Sequence, residues 1–153
     1  MASGSRSRSG EPREVLLVED NPGDVRLIED AFEMVSEDTE LRTATDSYEA
    51  LHLLHRGVTD DSTSLPDLAL VDLNLPGKDG CELLESIRDD PHIECLPVII
   101  LTSSESRTDI TRCYEAGANA YITKPSDPDE YVRLAEMIEQ FWYQNVQLPP
   151  IPS

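Results

Sequence analysis

The sequence has few basic residues and no long apolar run, and each shortage argues against a class of protein. Twelve Lys and Arg residues stand against 31 Asp and Glu residues, so the formal net charge at pH 7 is −19 over 153 residues. A surface with this charge repels the phosphates of nucleic acids, which argues against a nucleic-acid partner. No apolar stretch reaches the roughly 20 residues of a membrane span, so we expect a soluble protein with no membrane partner.

Lysine and cysteine are both scarce. The two lysines, Lys78 and Lys124, are each candidates for a specific role. Cys81, Cys95 and Cys113 lack metal-ligand spacing, and their odd number argues against a disulfide framework, so we expect reduced thiols in a cytoplasmic protein. The acids are spread along the chain instead of forming one block, which predicts a solvated surface suited to the high-salt cytoplasm of a halophile.

The two ends of the chain differ in composition from its middle. Residues 1–13 are rich in Ser, Gly and Arg and lack the apolar run of a secretory signal, which predicts a disordered N-terminal tail. Residues 145–153 are predicted to form a proline-rich C-terminal tail. We expect the segment between them, 14–144, to form one domain.

Between the tails, apolar strands and amphipathic helices alternate five times. The predicted strands are 14–20, 41–45, 67–73, 96–104 and 119–125. The predicted helices are about 22–35, 47–56, 80–88, 106–116 and 126–144. This alternation predicts a parallel sheet covered by helices on both faces, with the carboxyl ends of the strands along one edge. Ligands of such sheets bind outside that edge.

Capping residues predict where several helices begin and end. Asn21, which precedes a proline, is predicted to cap the first helix. Asp46 and Glu49 form a capping-box pattern for the second helix, and Gly57 is predicted to end it. Ser126 is predicted to begin the last helix.

Polar side chains stand where the predicted strands end. They are Glu19 and Asp20 at the end of the first strand, Asp72 in the third, Thr102 and Ser103 in the fourth, and Lys124 in the fifth. Three carboxylates close together repel one another unless a cation lies among them, and oxygen ligands suit Mg²⁺. An ammonium group at the end of an apolar strand is costly unless it reaches these acids. The sequence therefore predicts a magnesium site formed by the acids, with a lysine ammonium in contact with the same acids.

This set of groups is equipped to receive a phosphoryl group. The metal and Lys124 would neutralise charge on the transferring oxygens, and Asp72 would attack as nucleophile to form an aspartyl phosphate. Thr102 would donate a hydrogen bond to a phosphate oxygen. The predicted catalytic residues are therefore Asp72, Thr102 and Lys124.

Four motifs make the sequence resemble the response-regulator receiver domains of two-component signalling. They are VEDNPGD, DLALVDLNLPGKDG, VIILTSS and GANAYITKP, in the order and spacing of that family, over about residues 14–143. The longer stretch VEDNPGDVRLIEDAF is similar to single-domain regulators paired with cyanobacterial phytochromes. The resemblance implies a flavodoxin-like, doubly wound α/β fold of (βα)5 type with strand order 2-1-3-4-5.

The resemblance also implies roles for the acidic residues at the sheet edge. Asp72 is implied as the phosphoacceptor. The metal is implied to be held by Glu19, Asp20, Asp72 and the backbone carbonyl of Asn74. Glu19 stands where many relatives have Asp, so its contact with the metal is expected to pass through water.

For the remaining site residues, the resemblance implies a part in the response to phosphate. Thr102 and Lys124 are implied as the pair that senses the phosphate, and Tyr121 as the aromatic residue that rotates with Thr102. The Lys124–Pro125 peptide bond is implied to be cis. Ser103 stands where Ala is common in the family, and Asn74 and Ser104 occupy two variable positions that tune phosphate hydrolysis.

Other protein classes share parts of this pattern and fit it less well. A haloacid-dehalogenase-type phosphatase needs a second acid two residues after its nucleophile, where this chain has Asn74. A flavin carrier would meet the acids of EDNPGD where its phosphate binds, and no cysteine begins the loop of a thiol phosphatase. The alternative that stays open is a pseudo-receiver, a binding module that never accepts phosphate. Such domains usually lack one of the acids or the lysine.

The expected partners follow from the receiver resemblance. We expect phosphate from a sensor histidine kinase of phytochrome-like type or exchange with a histidine phosphotransfer protein. We also expect no output domain, and therefore signalling by docking. The protein would catalyse only its own phosphorylation and slow dephosphorylation.

A homodimer is expected through the fourth helix, fifth strand and fifth helix. The last helix has an apolar stripe predicted to cover the sheet, with Val132 and Met137 outside it. The stripe consists of Tyr131, Leu134, Ala135, Ile138 and Phe141 or Trp142.

Overall fold

The computed structural model of the chain describes residues 13–36, 38–60 and 64–144, with side-chain burial up to residue 140. Within these ranges five strands alternate with five helices. The strands are β1 (Arg13–Val18), β2 (Thr39–Ala44), β3 (Leu68–Val71), β4 (Val98–Thr102) and β5 (Ala120–Thr123). The helices are α1 (Pro22–Val35), α2 (Ser47–Thr59), α3 (Gly80–Arg88), α4 (Arg107–Glu115) and α5 (Pro128–Gln144). The N-terminal tail was predicted for residues 1–13, but Arg13 is the first residue of β1. Residues 1–12 and the predicted C-terminal tail, 145–153, lie outside the described residues.

The strands form one sheet in the order β2-β1-β3-β4-β5, and this confirms the predicted flavodoxin-like fold. β3 pairs in parallel with β1 on one side and with β4 on the other. Every residue of β3 and β4 is buried, because their sequences LALV and VIILT carry apolar side chains towards both faces. Val18 pairs with Val71, so the residues that follow β1 and β3 emerge side by side at the carboxyl edge of the sheet.

Residue contacts divide the chain into two units. The larger unit comprises residues 14–25 and 41–124, and therefore contains every candidate site residue named above. In the described part of the smaller unit, α1 buries Ile28, Ala31 and Phe32 at helical spacing.

The apolar stripe of α5 is buried where it is described. Its buried members are Tyr131, Leu134, Ala135 and Ile138. Met137 is 51% exposed and Val132 is partly buried. The side chains of Phe141 and Trp142 lie outside the described residues. None of the described helices is long and apolar enough to cross a bilayer.

Two predicted helix ends are wrong. α2 continues through Gly57 to Thr59, and a Cβ at Gly57 would lie 3.0 Å from the carbonyl oxygen of Ser64. Gly57 therefore allows the following loop to approach the helix closely, and it does not end the helix. α5 begins at Pro128, because the carboxylate of Asp127 accepts a hydrogen bond from the Glu130 amide, so Ser126 precedes the helix.

The three cysteines are free, as predicted. Cys81 on α3 and Cys113 on α4 are buried, and burial raises the pKa of both thiols. Thiols held in the protonated form are poor nucleophiles, so a packing role in the core fits these two residues. Cys95 is exposed.

With a net charge of −19, we expect the free energy of unfolding to rise steeply between dilute buffer and molar KCl. Repulsion among surface carboxylates opposes the compact state, and the Debye length falls from about 30 Å at ~0.01 M to about 3 Å at ~1 M. A like-charge pair on a helix costs about 0.2–0.5 kcal/mol, so many screened pairs together contribute on the order of a few kcal/mol. Urea unfolding measures the change, because urea adds no charge.

Sucrose is the control for this experiment, because it favours burial without screening charge. A stability that stays flat in KCl, or that rises equally in sucrose, would contradict the prediction of a protein adapted to high salt.

Candidate functional site

Three carboxylates meet at the carboxyl edge of the sheet. Glu19 and Asp20 follow β1, Asp72 follows β3, and one oxygen of each lies within 4.8 Å of the others. Glu19 is 1% exposed and Asp72 is 6% exposed, whereas Asp20 is open to solvent. The structure therefore brings together the three acids that the sequence predicts as metal ligands.

Lys124 reaches this acidic group from the end of β5. Its Nζ lies 2.8 Å from Glu19 Oε1 and 3.5 Å from Asp72 Oδ2. A further carboxylate, Asp24 Oδ2, lies 2.7 Å away. Burial by itself would lower the pKa of Lys124, but hydrogen bonds to Asp24 and Glu19 outweigh it and the pKa is raised. The ammonium group is therefore firmly charged.

The Lys124–Pro125 peptide is trans, so the cis bond implied by the resemblance is wrong. Trans is the ordinary isomer of an X–Pro bond in folded proteins. With this isomer the Lys124 amide donates to the Thr102 carbonyl at 2.8 Å, and the side chain still reaches three carboxylates. The contacts of the lysine do not require a cis bond.

Burial and, after it, crowding of negative charge raise the pKa of a carboxylate in the site. Desolvation and the charge of Asp72 raise the pKa of Glu19 to about 6, against the opposing hydrogen bond from Lys124. The Asn21 amide also donates to Glu19 Oε2, at 3.1 Å. The Lys124 ammonium contacts the carboxylates of Glu19, Asp24 and Asp72, and that of Asp20 lies beside two of them, so the cluster has an excess of negative charge.

The donor set fits a hard divalent cation. Its members are carboxylate oxygens, the ligands that Mg²⁺ and Mn²⁺ prefer, and Asp20 is open to solvent, so a metal could retain water there. The backbone amide of Asn74 donates to Asp72 Oδ1 at 3.3 Å, which places the backbone of Asn74 beside the acids. That its carbonyl oxygen is a metal ligand stays a prediction.

The hydroxyl of Thr102 lies beside the same loop. Thr102 is fully buried, and its Oγ1 accepts hydrogen bonds from Asn74 Nδ2 at 3.4 Å and from the Ser104 amide at 3.3 Å. Tyr121 is linked to the segment after β4, because its hydroxyl donates to the Ser104 carbonyl at 2.8 Å. Its amide donates to the Tyr114 hydroxyl at 3.1 Å, a contact with α4 that the sequence did not predict. Ser103 is exposed.

Two residues of the site are not identified by the strand-end pattern of the sequence. Asp24 lies in the first turn of α1, where Asn21 Oδ1 accepts hydrogen bonds from the amides of Gly23 and Asp24. A Cβ at Gly80 would lie 2.9 Å from Leu73 Cα and collide with the backbone of Asp72, so only glycine fits there. The sequence features that could have identified them are an acid in the first helical turn after Asn21 and a glycine eight residues after Asp72.

The chain matches the family model of the response regulator receiver domain over residues 15–136. It is 36% identical over 141 residues to response regulator Rcp1 of Synechocystis sp., covering 92% of this chain and 96% of Rcp1. The crystal structure of the phosphorylated cyanobacterial phytochrome response regulator RcpA is similar with a TM-score of 0.81 at 38% identity, over 90% of this chain and 99% of RcpA. The Mn²⁺-bound form of Rcp1 has a TM-score of 0.78 at 36% identity, with the same coverage of both chains. The chain therefore belongs to the response regulator receiver domain family.

Proposed function

We propose that the chain is a single-domain response regulator that accepts a phosphoryl group on Asp72. The observation that carries this proposal is the position of the Asp72 carboxylate, buried at the sheet edge within the acidic group and 3.5 Å from the ammonium of Lys124. Two similar proteins add support, because RcpA is described as phosphorylated and Rcp1 as Mn²⁺-bound.

The proposed transfer is a displacement at phosphorus. One oxygen of the Asp72 carboxylate forms a bond to the phosphorus atom while the bond from phosphorus to the histidine nitrogen of the kinase breaks, and the electron pair of that bond stays on the nitrogen. Lys124 supplies positive charge beside the incoming oxygens, and Thr102 supplies a hydroxyl. In the slow dephosphorylation that ends the signal, water attacks phosphorus while the bond from phosphorus to the Asp72 oxygen breaks. Inorganic phosphate leaves, and the electron pair of that bond restores the Asp72 carboxylate.

The residues proposed to hold Mg²⁺ are Asp20, Asp72 and the carbonyl of Asn74, with Glu19 acting through water. When bound, the ion supplies positive charge that offsets the phosphoryl oxygens. The negative charges of Glu19 and Asp20 repel the negatively charged phosphoryl donor unless a cation is bound. Transfer is therefore expected to depend on the metal.

Signalling is proposed to use Thr102 and Tyr121. Movement of the Thr102 hydroxyl towards phosphate would alter its hydrogen bonds with Asn74 and Ser104, and the Ser104 carbonyl is the group that accepts from Tyr121. A phosphoryl group would thereby shift an equilibrium between two arrangements of the segment after β4.

The proposed phosphate donor is a sensor histidine kinase of phytochrome-like type, or a histidine phosphotransfer protein, in the cytoplasm. The similarity to RcpA, which is described as a cyanobacterial phytochrome response regulator, favours a phytochrome-like kinase. A homodimer through α4, β5 and α5 stays a prediction. Tyr114 on α4 and Met137 on α5 are large exposed side chains available for such contacts.

Intact-protein mass spectrometry tests the phosphoacceptor function. After incubation with acetyl phosphate, we expect the protein to gain one phosphoryl group with MgCl₂ and none with EDTA, because the acidic cluster repels the donor without a cation. A protein that gains nothing in either condition would overturn the proposal and favour the pseudo-receiver alternative.

A further inference from the structure

The shortest contact of Lys124 is with a carboxylate outside the predicted acidic set. Its Nζ lies 2.7 Å from Asp24 Oδ2 and 2.8 Å from Glu19 Oε1, both of which are hydrogen-bond distances. The distance to Asp72 Oδ2 is 3.5 Å. The ammonium of Lys124 therefore interacts mainly with Asp24 and Glu19, and its interaction with Asp72 is the weakest of the three.

The local backbone fixes the position of Asp24. It is the third residue of α1, and its amide donates to Asn21 Oδ1 at 3.1 Å. A carboxylate in the first turn of a helix is favoured by the helix dipole. Asp24 therefore presents a charged group to Lys124 from a rigid turn.

The ammonium of Lys124 has three N–H donors, and its two short bonds hold it 3.5 Å from Asp72 Oδ2. If the ammonium moves towards a phosphoryl oxygen on Asp72, at least one of the two short bonds lengthens. The side chain of Glu19 is 2% exposed, so losing the ammonium there would leave a buried charge unpaired. The side chain of Asp24 is 26% exposed, so water can replace the ammonium at lower cost. The bond to Asp24 is the one that can be exchanged.

We propose that Asp24 is a positioning residue that holds Lys124 away from Asp72 until the phosphoryl group arrives. This inference rests on the proposed role of Asp72 as the phosphoacceptor. The exchange trades the hydrogen bond between Lys124 and Asp24 for one between Lys124 and a phosphoryl oxygen. Asp24 thereby lowers the affinity of the site for a phosphoryl group and favours the unphosphorylated state.

Beryllofluoride, a phosphoryl mimic, measures this competition at saturating Mg²⁺. We expect Asp24→Asn to bind it about tenfold more tightly, because the amide competes less well for the ammonium than a carboxylate does. Asp24→Glu restores the charge and should return the affinity towards that of the unmodified protein. Glu33→Gln removes one exposed charge elsewhere on α1 and should change the affinity little. If Asp24 only supported the fold, its loss would weaken binding.

A double-mutant cycle separates the role of Lys124 from a general loss of negative charge. In a Lys124→Gln background, the gain from Asp24→Asn should disappear. A gain that persists there would assign the effect to charge repulsion and overturn the proposal.

The two lysines allow a direct readout that does not require the Lys124→Gln protein to fold. With ε-¹³C-lysine, Lys124 gives one NMR signal and Lys78 provides an internal reference. Beryllofluoride should move the Lys124 signal in the unmodified protein, and Asp24→Asn should move it in the same direction without the mimic. If the unmodified protein binds no mimic, the proposed function fails. If it binds the mimic normally while Asp24→Asn binds no more tightly, only the role of Asp24 fails.

Discussion

Replacing Asp72 with Asn is expected to abolish phosphoryl incorporation. The substitution keeps the size of the side chain but replaces a charged nucleophilic oxygen with a neutral amide. Intact-protein mass spectrometry with acetyl phosphate and MgCl₂ should detect one phosphoryl group on the unmodified protein and none on Asp72→Asn. Asp30→Asn, which replaces an exposed carboxylate on α1, is the matched control and should be labelled normally.

The same variant has a second measurable consequence that reports on the geometry of the site. The charge of Asp72 contributes to the raised pKa of Glu19, so Asp72→Asn should lower the pKa of Glu19. Carboxyl-carbon NMR titration measures this shift and confirms that the variant is folded. Labelling that survives in a folded Asp72→Asn protein would place the phosphoacceptor elsewhere and contradict the assignment.

The arrangement of the sheet and the three acids could be predicted from the sequence because both depend on local patterns. Apolar runs such as LALV and VIILT predict buried parallel strands, and the carboxyl ends of such strands must lie along one edge. Residues directly after the strands, such as Glu19 and Asp72, then meet without any knowledge of side-chain conformation. The strand order itself came from the family resemblance.

Features that depend on side-chain reach or loop packing could not be predicted in this way. Asp24 contacts Lys124 from the first turn of a helix, so no strand-end rule identifies it. Gly57 has the local pattern of a helix end, but the loop at Ser64 packs against it and α2 continues. The isomer of the Lys124–Pro125 bond was inferred from resemblance alone, and the side chain reaches its partners from the trans form.

Replacing Lys124 with Met is expected to destabilise the fold by about 3–5 kcal/mol, the usual cost of leaving buried charges without their partner. The ammonium has a side-chain exposure of 11% and contacts Glu19, Asp24 and Asp72. Met fills a similar volume but supplies no charge, so the nearly buried carboxylates of Glu19 and Asp72 would face each other uncompensated. Urea unfolding without divalent cations measures the loss.

Lys78→Met is the matched control, because it removes the only other lysine of the chain. Lys78 Nζ donates to Ser86 Oγ at 2.7 Å, a hydrogen bond to a neutral group, so its loss should cost about 1 kcal/mol. Mg²⁺ should then restore part of the stability of Lys124→Met, since a cation held by the same acids supplies the missing positive charge. The restoration should be absent in a variant that also carries Asp20→Ala, which removes a proposed ligand of the metal. If Lys124→Met cost no more than Lys78→Met, the ammonium would not be what balances the carboxylates of this site.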